Sequence, residues 1–172
     1  EDCRRQRQMC IRDSLYPDCA ALRARKSDNR DGQFFYGRRG SPTQWALSEA
    51  LTALEPGAAG TVLYPSGLAA LVGALLTVLR SGDVLLVADN AYDPTRSAAT
   101  GLLKDLGIEH RFFDPLDHEA FAGAFCDRTR AVMLEVPGSL TMEVCDIPAL
   151  SAIARGRGCL LYTSDAADDS LR

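Results

Sequence analysis

The feature that most constrains this chain is the alternation of short apolar runs with longer segments of helical spacing. Short, apolar and often β-branched runs predict strands at residues 61–64, 83–88, 109–113 and 131–136. Segments with helical spacing predict helices at residues 41–54, 68–79, 94–106, 117–125 and 147–154. Strands that alternate with helices in this way predict an α/β fold with a mostly parallel, doubly wound sheet. One more strand is due at residues 158–162, where the sheet is expected to be cut off.

Composition excludes several function classes. Of the 172 residues, 47% are apolar and 24% are charged, which is ordinary for a globular domain. A net charge of −4 argues against nucleic acid or an anionic membrane as the main partner. No apolar run is long enough to span a bilayer and no signal segment is visible, so we expect a cytoplasmic protein. The six cysteines form no C-x-x-C pair and only two histidines accompany them, so we expect no metal site.

The two ends of the chain differ from its middle. The start, EDCRRQRQMCIRD, and the end, LLYTSDAADDSLR, resemble translated sequencing-adapter read-through, with ordinary polar tails as the alternative. We therefore expect residues 1–13 and 159–172 to be non-native artefacts. Residues 14–40 then form an extended N-terminal arm, and residues 41–158 form an incomplete large domain.

Ligands of such sheets bind beyond the carboxyl ends of the strands, so the strand-to-helix junctions are the candidate sites. The first junction is YPSGLAA, residues 64–70. Small residues at a helix start let backbone N–H groups converge on an anion, and Ser66 and Gly67 suit a close approach of phosphate. A tight turn with a serine cap explains the same residues equally well.

Two further junctions and one upstream segment also carry candidate residues. Tyr92, in NAYDP, is placed to stack on a flat aromatic ligand, or is simply a half-buried loop tyrosine. Ser139, in EVPGS, could donate to a ligand oxygen, although a turn serine often bonds its own backbone. Tyr36 and Arg38, in YGRRG, suit recognition of phosphate or carboxylate, or belong to a solvated surface.

Taken in order, the segments YGRRGSPTQWALSEALTALE, LYPSGLAA, NAYDP and EVPGSLTMEVCDIPAL resemble the cystathionine beta-lyase branch of the Cys/Met-metabolism enzymes that depend on pyridoxal 5'-phosphate (PLP). The resemblance covers residues 15–158, and it implies the type I, aminotransferase-like fold and PLP as the cofactor. It also implies β-elimination of L-cystathionine to homocysteine, pyruvate and ammonia. The implied partners are a small sulfur amino acid and a second subunit in a dimer or tetramer.

The resemblance implies a role for each candidate residue. Ser66, Gly67 and Leu68 would present donors to the PLP phosphate. Tyr92 would stack on the pyridine ring and assist proton transfer near the substrate amine. Ser139 stands where relatives contact the ring oxygen, often with asparagine. The remaining pair, Tyr36 and Arg38, would reach the phosphate of a neighbouring subunit.

The chain departs from that pattern in its lysines. The chemistry of the family starts from a Schiff-base lysine that lies downstream of the matched segments. This sequence has two lysines, Lys26 in the arm and Lys104 on the outer face of a helix, and neither has a suitable setting. We therefore expect an N-terminal fragment that is inactive by itself. The alternatives are an enzyme of the family that acts at the γ-carbon, a nucleotide-binding module of similar fold, and a non-catalytic fragment.

Overall fold

The computed structural model describes residues 18–24 and 40–164, which fall in two compact units divided between Leu63 and Tyr64. The first unit contains helix α1, Cys19–Ala24, and helix α2, Pro42–Leu54. Proline at the first position of α2 fits its fixed φ and its missing N–H, because the first N–H groups of a helix have no intrahelical acceptor.

The strand predicted at residues 61–64 is wrong. Thr61–Tyr64 pair with no strand of the sheet, and the side chain of Val62 is 76% exposed. The hydroxyl of Thr61 instead shares a hydrogen bond of 2.8 Å with the hydroxyl of Thr52. A short β-branched run becomes a strand only when a neighbouring strand pairs with it, and local sequence does not reveal that neighbour.

The second unit alternates helices and strands as the sequence predicts. Its elements are α3 Gly67–Val78, β1 Val84–Ala88, α4 Asp93–Ala98, β2 Glu109–Phe113, α5 His118–Ala124, β3 Thr129–Glu135, α6 Ile147–Gly156 and β4 Leu160–Ser164. Helices α3, α5 and α6 each start behind a side-chain cap, in which Ser66, Asp117 or Asp146 accepts a backbone N–H three residues on.

The described strands form a four-stranded parallel sheet in the order β2-β1-β3-β4. Every residue of the central strand β1 is buried, as expected of a parallel strand that is covered on both faces. Leu85 and Val87 pack in one apolar core with residues of α3, and Leu86 packs in a second core with residues of α5 and α6. This arrangement of helices on both faces confirms the predicted doubly wound α/β fold.

Two details differ from the periodicity-based expectation. The helix predicted at residues 94–106 is α4 followed by a π-helical segment, Ala99–Leu103, whose inner residues still face the first core. The last strand, β4, pairs with β3 along its whole length and begins two residues later than predicted. Within the described residues, no helix is long and apolar enough to cross a membrane.

Candidate functional site

The turns that follow β1 and β3 lie side by side at the carboxyl end of the sheet. Because β1 and β3 are parallel neighbours, the residues after Ala88 and after Glu135 leave the sheet at the same edge. The two turns are joined by a hydrogen bond of 2.8 Å from the backbone N–H of Ser139 to the carbonyl of Asn90. A cavity of about 340 Å³ lies against them, lined by Asp89, Asn90, Ala91, Tyr92, Asp93, Arg96, Ser139, Leu140 and Thr141.

A buried carboxylate fixes the position of Tyr92. Glu135, the last residue of β3, is only 2% exposed, and its Oε2 accepts the backbone N–H of Tyr92 at 2.9 Å. Tyr92 is the residue before α4, and its side chain is 38% exposed at the cavity. Glu135 was not predicted as a site residue. The sequence feature that could have identified it is a charged residue at the end of an otherwise apolar strand. A charged side chain in such a place is buried only when it has hydrogen-bond or ion-pair partners.

The segment after β3 folds into a loop that closes on itself. The N–H of Gly138 donates to the carbonyl of Glu143 at 2.8 Å, and the N–H of Met142 donates to the carbonyl of Gly138 at 2.9 Å. The loop follows a cis peptide bond between Val136 and Pro137. Leu140 and Met142 have φ angles of 63° and 56°, in the left-handed region that side chains other than glycine rarely adopt. Such backbone persists only where the surrounding contacts hold it.

Asn90 ties this loop to the first turn through its side chain. Its Nδ2 donates to Oε2 of Glu143 at 3.2 Å. The side chain of Asn90 is 8% exposed, and its Oδ1 has no hydrogen-bond partner among the described residues. A donor on a bound molecule or a water would satisfy that oxygen. Neither Asn90 nor Glu143 was predicted as a site residue, because the contact joins positions 53 residues apart.

The turn that opens α3 lies at the same end of the sheet. A short connection joins the end of α3 at Val78 to the start of β1 at Val84, so the helix runs antiparallel to the strand. Ser66 acts as the N-cap, and its Oγ accepts the N–H of Ala69 at 3.2 Å. The N–H groups of Gly67 and Leu68 have no acceptor inside the helix, which leaves them for an anion. These three residues are not among those that line the 340 Å³ cavity.

Three of the nine residues that line the cavity are charged, namely Asp89, Asp93 and Arg96. Partial burial raises the pKa of Asp89, and the nearby carboxylate of Asp114 raises it further, while Arg96 acts in the opposite direction. The guanidinium of Arg96 donates to the carbonyl of Asp89 and lies over the ring of Phe112, 4.3 Å from its centroid. These two contacts hold a cation at the mouth of the cavity.

The structure therefore brings Tyr92 and Ser139 together at one cavity, whereas Ser66, Gly67 and Leu68 form a helix start that does not line it. The predicted site residues Tyr36 and Arg38 lie outside the described residues. The backbone N–H donors at the helix start suit a phosphate group, and the aromatic ring, the hydroxyl donor and the amide oxygen acceptor at the cavity suit a flat aromatic ligand.

The chain is similar to enzymes of sulfur amino acid metabolism. It is 39% identical to cystathionine beta-lyase MetC of Escherichia coli, over 83% of this chain and 36% of that protein. It is 40% identical to cystathionine beta-lyase of Salmonella typhimurium, over 73% of this chain and 31% of that protein. The chain thus spans about a third of the length of the curated relatives it matches.

A solved structure and a family model agree with these relatives. The structure of cystathionine gamma-lyase from Lactobacillus plantarum, complexed with L-serine, superposes with a TM-score of 0.74 at 26% identity. That match covers 81% of this chain and 36% of the other. The model of the family described as Cys/Met metabolism PLP-dependent enzyme matches residues 12–167. The chain therefore belongs to the Cys/Met metabolism PLP-dependent enzyme family.

Proposed function

We propose that the full-length protein containing this chain is a PLP-dependent carbon–sulfur lyase. Its reaction is the β-elimination of L-cystathionine with water to homocysteine, pyruvate and ammonia. The observation that carries the proposal is the cavity between Tyr92 and Ser139. Ser139, Leu140 and Thr141 line the cavity beside Tyr92, and they belong to the stretch EVPGSLTMEV that resembles the cystathionine beta-lyase branch. The names of the bacterial relatives support the same activity.

The residues at the carboxyl end of the sheet fit the cofactor of the family. The backbone N–H groups of Gly67 and Leu68, with the dipole of α3 behind them, hold the phosphate of PLP. Ser66 shapes that turn through its cap hydrogen bond. When bound, PLP supplies an electron sink for the carbanion that forms at Cα of the amino acid.

Tyr92 has two roles in this proposal. Its ring covers one face of the pyridine ring, and its phenol takes or returns a proton at the substrate amine. The hydrogen bond from its backbone N–H to Glu135 keeps the ring at the cavity while leaving the phenol free to act. Ser139, on the opposite wall, donates its hydroxyl to the ring oxygen.

The site is completed by a second subunit and by residues that this chain does not contain. Tyr36 and Arg38 reach the phosphate bound by a neighbouring subunit, so the active protein is a homo-oligomer, either a dimer or a tetramer. Lys104 is exposed just after the π-helical segment, and Lys26 lies outside the described residues. Neither lysine binds the cofactor covalently, and the 172-residue polypeptide alone is therefore inactive. We place the protein in the cytoplasm.

The test is an assay of the full-length protein with L-cystathionine and PLP. Formation of homocysteine and pyruvate in equal amounts, with loss of activity in the Tyr92→Ala variant, is the expected result. Absence of PLP binding to the full-length protein would overturn the proposal. The matched control is Phe125→Leu, because Phe125 is a partly buried aromatic residue that packs on the second core and does not line the cavity.

The second candidate function is elimination or replacement at the γ-carbon, as in cystathionine gamma-lyase or gamma-synthase. The similarity to the solved structure of cystathionine gamma-lyase favours it. The same assay separates the two, since a γ-lyase releases cysteine and 2-oxobutyrate from cystathionine in place of homocysteine and pyruvate.

A further inference from the structure

We propose that Asn90 is a positioning residue that latches the loop Gly138–Glu143 to the turn that carries Tyr92. The latch keeps the two walls of the cavity, with Tyr92 on one and Ser139 on the other, at a fixed separation. The inference rests on the proposed function, because it takes Tyr92 and Ser139 as the residues that contact PLP.

The latch consists of two hydrogen bonds that point in opposite directions. The carbonyl of Asn90 accepts the N–H of Ser139 at 2.8 Å, and the Nδ2 of Asn90 donates to Oε2 of Glu143 at 3.2 Å. One residue thus holds the loop near both of its ends. The amide of Asn90 is buried, and a hydrogen bond from a buried amide to a carboxylate is stronger than one between neutral groups.

The loop needs an external anchor. Leu140 and Met142 both adopt left-handed backbone conformations, and the side chain of Leu140 is fully exposed, so its packing does not offset that cost. The bonds inside the loop, from Gly138 to Glu143 and from Met142 to Gly138, fix its shape. They do not fix the position of the loop against the turn that carries Tyr92. Among the described residues, the hydrogen bonds that join this loop to that turn are the two made by Asn90.

Gly138 supplies the space that the latch requires. A Cβ at position 138 would come to 2.8 Å from Cγ of Asn90 and 2.8 Å from Oγ1 of Thr141, and closer still to Nδ2 of Asn90. These distances are shorter than real Cβ contacts allow. A methyl group at position 138 therefore displaces the amide of Asn90 from Glu143, while residues 90 and 143 themselves remain unchanged.

The decisive experiment reverses the polarity of the bond. In Asn90→Asp two carboxylates face each other, whereas in the double variant Asn90→Asp/Glu143→Gln the amide of residue 143 donates to the carboxylate of residue 90. The variants are made in the full-length protein, together with Gly138→Ala and the control Glu109→Gln at the opposite end of the sheet. Three quantities are measured: the hydrogen-exchange rate of the peptide containing Ser139 in the PLP-free protein, the affinity for PLP, and the circular dichroism of the bound cofactor.

We expect Asn90→Asp and Gly138→Ala to speed exchange at Ser139 and to weaken PLP binding by about tenfold, the effect of losing one charge-assisted hydrogen bond. The double variant recovers both the exchange rate and the dichroism of the cofactor, and Glu109→Gln changes neither. The inference is overturned if Asn90→Asp exchanges like the wild type, or if the double variant fails to recover. Should the wild-type protein not bind PLP, the proposed function fails, and the exchange rates still decide whether the latch exists.

Discussion

The two ends of the parallel sheet carry their polar groups in different ways. At the amino end, Glu109 pairs with Arg111 and Arg128, and Arg130 pairs with Asp83. Most of these side chains are exposed to solvent, and such surface pairs contribute little to stability. At the carboxyl end, the polar side chains of Asn90 and Glu135 are buried.

The difference shows at which end of the sheet the fold accepts the free-energy cost of burying polar groups. A buried carboxylate or amide costs free energy unless it is hydrogen-bonded, so a chain keeps such groups where their geometry is needed. Glu135 and Asn90 both bond to residues of the other turn, over 43 and 53 residues of sequence. The ion pairs at the amino end are solvated, so substitutions there should change stability little. The hydrogen bonds at the carboxyl end hold the turns that line the cavity.

The largest expected effect on stability comes from a substitution at the carboxyl end of the sheet, where the polar side chains are buried. Glu135→Ala removes the acceptor of the Tyr92 N–H and leaves a void beneath the turn, so we expect the free energy of unfolding to fall by about 3 kcal/mol. Urea denaturation of the full-length protein measures the change. Glu135→Gln keeps an oxygen acceptor and serves as the control, with a smaller loss. A loss in Glu135→Ala no greater than that in Glu109→Gln would remove the distinction between the two ends.

The next effect tests the anion site at the start of α3. Ser66→Asp keeps a side-chain cap for the N–H of Ala69 but adds a negative charge where the phosphate binds. Like charges at about 4 Å near a protein surface repel by about 1–4 kcal/mol, so PLP affinity should fall by at least about tenfold. Ser66→Ala, the matched control, costs about 1 kcal/mol of stability through loss of the cap and leaves most of the affinity.

A titration of PLP absorbance or fluorescence gives both affinities. Equal PLP binding by Ser66→Asp and the wild type would show that the phosphate does not lie at the start of α3.

The third effect concerns the ring of Tyr92. Tyr92→Ala removes an aromatic contact worth about 1 kcal/mol, so PLP affinity should fall about fivefold with little change in the free energy of unfolding. Tyr92→Phe keeps the ring and should bind PLP like the wild type while losing turnover, because the phenol carries the proton. If Tyr92→Phe and Tyr92→Ala weaken PLP binding equally, the ring does not stack on the cofactor.

The sequence predicted the elements with strong local signals. Strand 109–113 has the predicted bounds, and the helix predicted at residues 147–154 begins at Ile147 as predicted. Tyr92 and Ser139 were predicted as site residues because each follows a strand, and the topology brings such positions together. Ser66 serves as the cap of α3, which was one of its two predicted roles.

The parts that sequence reasoning missed depend on distant contacts. Nothing near Asn90 reveals that Glu143 accepts its amide, and nothing near Glu135 reveals the N–H of Tyr92. The run at residues 61–64 has the composition of a strand, but none of the described strands pairs with it. Local pattern therefore predicts which elements exist, and the packing of those elements decides which polar groups meet.

The smallest expected effect is an opposite pH response at the two ends. Burial raises the pKa of Asp89 at the carboxyl end, whereas hydrogen bonds from Arg128 and Arg111 lower the pKa of Glu109 at the amino end. The stability that Asp89 contributes is full below its unfolded-state pKa and is lost as the pH rises through the raised folded-state pKa. The contribution of Glu109 is full above its unfolded-state pKa and is lost as the pH falls through the lowered folded-state pKa.

Asp89→Asn should therefore gain stability relative to the wild type as the pH rises from about 3 to 7, and Glu109→Gln should lose stability over the same range. Both carboxyls are accessible to water, so solvent screening keeps the differences small. Urea midpoints of the two variants and the wild type, measured across that range at low salt, give the two slopes. Slopes of the same sign would mean that the carboxyl end does not desolvate its charges, and the contrast between the two ends would then rest on Glu135 and Asn90 alone.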